Sequence, residues 1–231
     1  MTAQPTPSTP SPSPAPSERV RLRRKRERGS YEKDVIEAIL DEALVAHLGI
    51  TGESGQPFVV PTLHARHGDL VYCHGSLGSR TLRALSAGAP ACLTVSLIDG
   101  LVLARSAMHH SANYRSVMLL GQARPLTDPQ EKRVALEAIV EHIVPGRWRE
   151  VREPTDNELA ATAVLAFPIE EASAKIRRGG PIDDEPDLQL RVWAGVLPLR
   201  SAPGAPEPDA LLDQGIPLPS YLRPYRRPGA A

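Results

Sequence analysis

Only two cysteines, Cys73 and Cys92, occur in the 231 residues. One possible bridge in a chain of this length does not make a disulfide framework, and both residues sit in apolar, strand-like runs. They are expected as buried thiols in a reducing cytoplasm. No run of about twenty apolar residues exists, which excludes a membrane-spanning helix. No apolar segment follows the N-terminal charges, so no secretory signal is expected. Net charge is missing too: Lys+Arg and Asp+Glu number 27 each, so the whole chain does not read as a nucleic-acid binder. Lysine is scarce beside arginine, a bias associated with GC-rich bacterial genomes.

What is present is unevenly distributed. Residues 1–17, MTAQPTPSTPSPSPAPS, carry too little apolar surface to offset the entropy of ordering. The following ERVRLRRKRERGS is basic, and reads either as an arm for phosphates, nucleic acid or a membrane surface, or as a solvated lead-in that docks on the domain. Residues 1–28 are therefore expected to form a disordered, Pro/Ser-rich and then basic arm. Residues 29–200 suffice for one folded domain, and the Pro-rich stretch 201–231 is expected to wrap loosely or stay mobile.

Within the domain, residues 31–46 have helical spacing (Val35, Ile36, Ile39, Leu40, Ala43), with Ser30 as cap and Asp34 in the first turn. FVVPTLHA and DLVYCHG predict a hairpin around Arg66-His67-Gly68. SRTLRALSAG predicts a short helix closed by Gly88. ACLTVSLIDGLVLARS predicts a second hairpin at Asp99-Gly100. RSVMLLGQARPL is a strand, and PQEKRVALEAIVEHIV is a helix with Pro129 in its first turn, its buried stripe being Leu136, Ile139, Val140 and Ile143. ATAVLAFPI and LRVWAGVLPL predict two more strands. Tight hairpins and few helices indicate an antiparallel barrel or sandwich.

Two segments carry polar chemistry. In HGSLGSRT (74–81) a strand runs through Gly and Ser into Arg80 and a helix start, so backbone N–H groups, hydroxyls and a guanidinium converge as a phosphate cradle would require. The bland alternative is a Gly/Ser turn with a surface arginine. In MHHSANYRSV (108–117), His109 and His110 point to opposite faces, and no ligand set accompanies them, so no metal is expected. Asn113, Tyr114, Arg115 and Ser116 precede an apolar strand, either at a ligand-binding barrel mouth or as ordinary loop polarity. Trp193 by itself suggests core packing.

PTLHARHGDLVYCHGSLGSR, GLVLARSAMHHSANYRSVMLLGQARPLTD, VPGRWREVR, EEASAKIRRGGPIDDEPD and VWAGVLPL occur in this order. Over about residues 19–200 they resemble the pyridoxamine 5′-phosphate oxidase-like, flavin-nucleotide-binding family, in the branch that includes nitroimidazole-resistance proteins. The resemblance implies an α+β fold, mainly β, in which an antiparallel split β-barrel of FMN-binding type carries peripheral helices. It implies a homodimer with one FMN in each of two clefts between subunits. Ser79 and Arg80 would then contact the flavin phosphate, with Thr81 close by. Val60, Pro61 and Thr62 would line the ring, and His74, Gly75 and Ser76 the ribityl chain. Asn113, Tyr114, Arg115 and Ser116 would reach the cofactor from the adjoining strand, with Lys175 and Trp193 coming from the second subunit.

The tail SYLRPYRRPGAA does not match the substrate-binding pattern of true pyridoxamine phosphate oxidases, so that substrate is not expected. No catalytic acid–base residue stands out; His64 and His110 are candidates by neighbourhood alone. The resemblance points to a cytoplasmic FMN-dependent oxidoreductase of a small molecule, with NADH or NADPH as donor. Alternatives are a non-catalytic flavin-binding or redox-stress protein, the same fold with deazaflavin or haem, and a nucleic-acid-associated protein acting through its basic arm.

Overall fold

The computed structural model describes residues 13–226. Among them the elements run β1 (Gly29–Ser30), α1 (Lys33–Glu42), β2 (Val45–Thr51), β3 (Pro57–His67), β4 (Leu70–Ser76), α2 (Arg80–Ser86), β5 (Pro90–Leu103), β6 (Ser111–Gln122) and β7 (Arg124–Pro125). Then come α3 (Pro129–Ile143), α4 (Asp156–Ala161), β8 (Thr162–Pro168), β9 (Glu171–Arg177) and β10 (Gly195–Pro198). All pairings are antiparallel, in the order β1-β9-β6-β5-β2-β3-β4-β8-β7, with β10 on the far half of β5. This is the α+β, split-barrel architecture, its sheet curved but not closed.

Period-2 burial builds the core. Ala46, Leu48 and Ile50 of β2, Leu93 and Val95 of β5, and Val117 and Leu119 of β6 face inward and meet Ile36, Ile39 and Leu40 of α1. Each such aliphatic side chain contributes roughly 1.5–3 kcal/mol on burial. A second cluster lies on the opposite side of β3, β4 and β8, where Ala65, Tyr72, Val164 and Ala166 pack against Ala135 and Ile139 of α3. Asp128 caps α3 by accepting from Glu131 N, with Pro129 first in the helix. No described helix is long and apolar enough to cross a membrane.

Strand β3 changes partner along its length. Residues 57–63 pair with β2 and residues 64–67 pair with β4, so β3 turns the corner between two sheets. The free edge of 64–67 is closed by α1. His64 Nε2 donates to Leu40 O at 3.1 Å, and Arg66 donates to the Asp41 carboxylate at 2.7 and 2.6 Å. The free edge of 57–63 has no strand partner among the described residues, and that opening is the split.

Several local expectations are corrected. The first helix ends at Glu42, not Ala46, because Leu40 O and Ala43 O are taken by His64 and His142 and the chain then alternates as β2. Ser30 is not its cap: Glu32 holds that position, and Ser30 Oγ accepts from Glu32 N. The hairpin turn is Gly68 and Asp69, one residue further along, with Gly68 at φ +58°. Asp99-Gly100 makes no hairpin. β5 runs straight through as a 14-residue strand with a bulge between Ile98 and Gly100. Gly100 has no positive φ, as a two-residue hairpin would require; it is a glycine because a Cβ there would lie 3.0 Å from Leu197 O of β10. The run around Trp193 is a strand only from Gly195, and Trp193 is 68% exposed, not packed in the core. The strand β9, within EEASAKIR, has no strong pattern and was not predicted.

The ends are more ordered than composition suggests. Residues 1–12 and 227–231 lie outside the described residues. Val20 is buried, Arg19 Nε donates to Glu171 Oε2 at 2.9 Å, and Leu22 N donates to Tyr31 Oη, so the lead-in docks along β9. In the C-terminal tail, Tyr225 Oη donates to Ile143 O at 2.7 Å, and the Tyr221 ring covers Gly146. Cys73 and Cys92 are both free thiols; burial pushes Cys73 up to about 12, whereas Cys92 is half-buried.

Candidate functional site

The end of β4 and the start of α2 form one wall of the split. His74 and Gly75 continue β4 opposite Val164 and Ala163, and the chain then turns tightly: Ser79 N donates to Ser76 O at 3.0 Å and Gly78 N to Ser76 Oγ at 3.1 Å. Ser79 is the N-cap of α2, its Oγ accepting from Leu82 N. Gly75 leaves room for Leu82, whose Cδ1 would lie 2.7 Å from a Cβ there and would have to shift. Thr81 is buried beneath this turn. Arg80 is exposed and makes no ion pair among the described residues; its guanidinium stacks 4.0 Å over the Phe58 ring. That contact joins the two walls, since Phe58 belongs to the free half of β3.

Along the other wall, Val60 and Thr62 lie opposite Leu48 and Ala46 and turn toward the core side, while Pro61 faces outward. The edge of β3 that would pair with β4 if β4 continued is available to a ligand. His74 is half-buried, and its Nδ1 is enclosed without a partner among the described residues. Burial lowers its pKa below 6.5, so the imidazole is neutral at pH 7. The split thus offers an unpaired strand edge, an enclosed neutral imidazole nitrogen, two serines and a cation without a carboxylate. A cavity of about 720 Å³ opens beside it, lined by Gly49, Thr51, Pro57, Phe58, Val59 and Cys92.

The second group of predicted residues lies elsewhere. Asn113, Tyr114, Arg115 and Ser116 are on β6, which neighbours β5 and β9 and is not adjacent to β3 or β4. The chain by itself does not bring them to the split as strand neighbours. Arg115 is committed within the fold: it pairs with Glu42 at the end of α1 and with Asp99 at the bulge, and these carboxylates raise its pKa. Asn113 is buried and accepts from Arg177, while Ser116 Oγ donates to Lys175 O at 3.3 Å. Lys175 Nζ lies 3.5 Å from Arg24 O, on the β1 side of the sheet. Among the other histidines, His64 is part of the core and tilts against His142, and His110 is exposed and bonds Ser106 O.

Sequence reasoning missed two features. Phe58 gave no signal, because stacking under Arg80 depends on the strand's change of partner. His109 meets Asp184 and Asp187, with ligand atoms within 4.8 Å of one another, although these carboxylates lie far along the chain.

The family model described as pyridoxamine 5′-phosphate oxidase matches residues 32–176. The chain belongs to the pyridoxamine 5′-phosphate oxidase-like family. Among solved structures it is similar to the flavocytochrome Anf3 from Azotobacter vinelandii, with 43% identity, 92% of this chain and 98% of that chain covered, and a TM-score of 0.86. It is also similar to the FAD and haem binding protein from Mycobacterium smegmatis, with 37% identity, 85% and 96% covered, and a TM-score of 0.81. A nitroimidazole-resistance protein homologue from Bacteroides thetaiotaomicron shares 26% identity over 64% of this chain and 86% of that one, at a TM-score of 0.55. No curated protein matches. Flavin is the cofactor of this family, and the residues lining the split are chemically suited to a flavin phosphate and its polar chain.

Proposed function

We propose that this protein is a flavin-dependent oxidoreductase that holds its flavin in the split between β3 and β4. The observation that carries the reading is Arg80: a cation without a carboxylate, beside Ser76 and Ser79, facing an unpaired strand edge. Flavin phosphate would accept from Arg80 and Ser79, and the backbone of residues 60–62 would bond the ring edge. When bound, the flavin supplies the electron transfer. The protein orients it, excludes water with Leu82 and Phe58, and keeps His74 neutral beside it.

The resemblance implies FMN, whereas the Mycobacterium smegmatis relative, which binds FAD and haem, and the Azotobacter vinelandii relative, a flavocytochrome, favour FAD accompanied by a haem. FAD retains the phosphate that the cradle suits, so the same residues serve it. A haem beside the flavin is a second reading, favoured by the neutral His74 imidazole and its unpartnered nitrogen.

The working unit in this proposal is a homodimer. Val45, Val59 and Leu63, and across the same face Ile98, Leu101 and Leu197, are exposed apolar side chains, and Val59 is 66% exposed. A second copy laid on that face would cover them and bring its own β6 residues toward the split. The donor is a nicotinamide nucleotide and the compartment the cytoplasm.

The absorbance of freshly purified protein tests the cofactor. A two-banded flavin spectrum is expected, and the mass of the released chromophore separates FMN from FAD; a Soret band reports haem. Absence of flavin absorbance even after adding FMN or FAD would overturn the proposal. Anaerobic bleaching by NADH or NADPH is expected of an oxidoreductase, and its failure would favour a non-catalytic flavin protein.

A further inference from the structure

A second cationic hollow lies at the other edge of the sheet. Arg28, Ser30 and Val35 on one side and Arg177, Arg178 and Ile182 on the other bound a cavity of about 580 Å³. Arg177 is the last residue of β9 and only 5% exposed. Its guanidinium donates to Asn113 Oδ1, to Gly179 O at 3.2 Å and to Gly180 O at 3.1 Å. These three oxygens satisfy its geometry but carry no formal charge.

Among the described residues no carboxylate pairs with it. Among the described residues neither Arg177 nor Arg28 makes an ion pair, and residues 1–12 and 227–231 contain no Asp or Glu. Burial holds the Arg177 pKa down, and Arg28, a like charge, lowers it further, while Tyr114 offsets part of this by raising it. Glu27 at the rim is the single lining carboxylate against three guanidiniums. A buried cation that faces another cation needs an anion to complete the site.

We propose that the hollow bounded by Arg28, Arg177 and Arg178 binds a phosphorylated small molecule, at a site distinct from the flavin split. Planar guanidiniums bond two oxygens of one group at a time, and three of them suit a doubly charged phosphate better than a carboxylate. Three strands, β6, β5 and β2, separate β9 from β3. Asn113, predicted as a flavin contact, acquires its role here by holding Arg177. The proposal does not depend on the flavin reading, because its residues and its anion are separate from Arg80.

Isothermal titration of the full-length protein with pyrophosphate at fixed ionic strength, with sulfate and acetate as controls, tests it. One saturable site per chain is expected. Arg28→Ala weakens it at least tenfold, Arg178→Ala severalfold, and Arg80→Ala leaves it unchanged. Arg177 holds a turn through hydrogen bonds that its loss would remove, so Arg28 and Arg178, whose side chains make no such bonds among the described residues, carry the test. Absence of saturable binding, or binding that survives Arg28→Ala and disappears in Arg80→Ala, would overturn the site. Competition by neither FMN nor FAD is expected of a separate phosphorylated metabolite; displacement of pyrophosphate by FAD in both the unaltered protein and Arg28→Ala would overturn the site's independence from the flavin split.

Discussion

The two halves of β3 treat their free edges in opposite ways. Along 64–67 the edge is closed by α1, through the buried His64–Leu40 bond and the Arg66–Asp41 pair. Along 57–63 the edge has no strand or helix bonded to it among the described residues, and only the Arg80–Phe58 stack crosses the gap. Unsatisfied backbone groups are costly when buried, so an edge left open beside a cation and two serines is suited to a bound group rather than to stability. One strand thus serves as scaffold at one end and, in the proposed function, as site at the other.

The largest expected effect falls on the closed half. Leu40→Ala, beneath that edge, should lower unfolding free energy by roughly 2–5 kcal/mol in urea titrations while leaving flavin affinity per folded molecule unchanged. A loss of affinity on the same scale would mean that the two halves are coupled. Arg80→Ala reverses the pattern. Deleting a charge-assisted bond worth roughly 1.5–3 kcal/mol should weaken flavin binding about ten- to hundredfold, with little change in apoprotein stability. Fluorescence titration reads this directly, and unchanged affinity would remove the phosphate cradle.

Asp41→Asn sharpens the comparison at smaller amplitude. Its pair with Arg66 is partly solvated, so the cost should be about 1 kcal/mol or less, again without effect on flavin. The smallest effect concerns pH. His74 is held below its ordinary pKa when folded, so below about 6.5 the unfolded chain takes up the proton more readily and stability falls as pH drops. His74→Gln should flatten that part of the profile between pH 7 and 5; an identical slope in both proteins would show that His74 does not titrate there.

Much of this division was legible in the sequence, though not all of it. The turn and helix start at 74–81 could be read because glycine, serine, arginine and a helix cap are local signals that act within a few residues. The short apolar, β-rich runs of β4, β6 and β8 were equally plain. β2 was hidden because Ala43, Leu44 and Leu48 continue a helical spacing, and it takes two histidines from β3 and α3 to end that helix. Asp99-Gly100 looked like a turn because its composition suits one. The actual causes are the approach of β10 and the carboxylate's pairing with Arg115, both long-range. The partner change in β3 leaves no local trace at all.

The docked tail has a practical consequence for how the protein is handled. Composition invites a truncation near residue 200, at the start of the Pro-rich segment. Such a shortened chain would lose the Tyr225 hydroxyl from the carbonyl at the end of α3 and uncover Gly146, whose φ of +89° marks a tight corner that glycine permits. Crystallisation variants and fusion partners are better joined after residue 226, where the strap has already fastened the last turn of that helix.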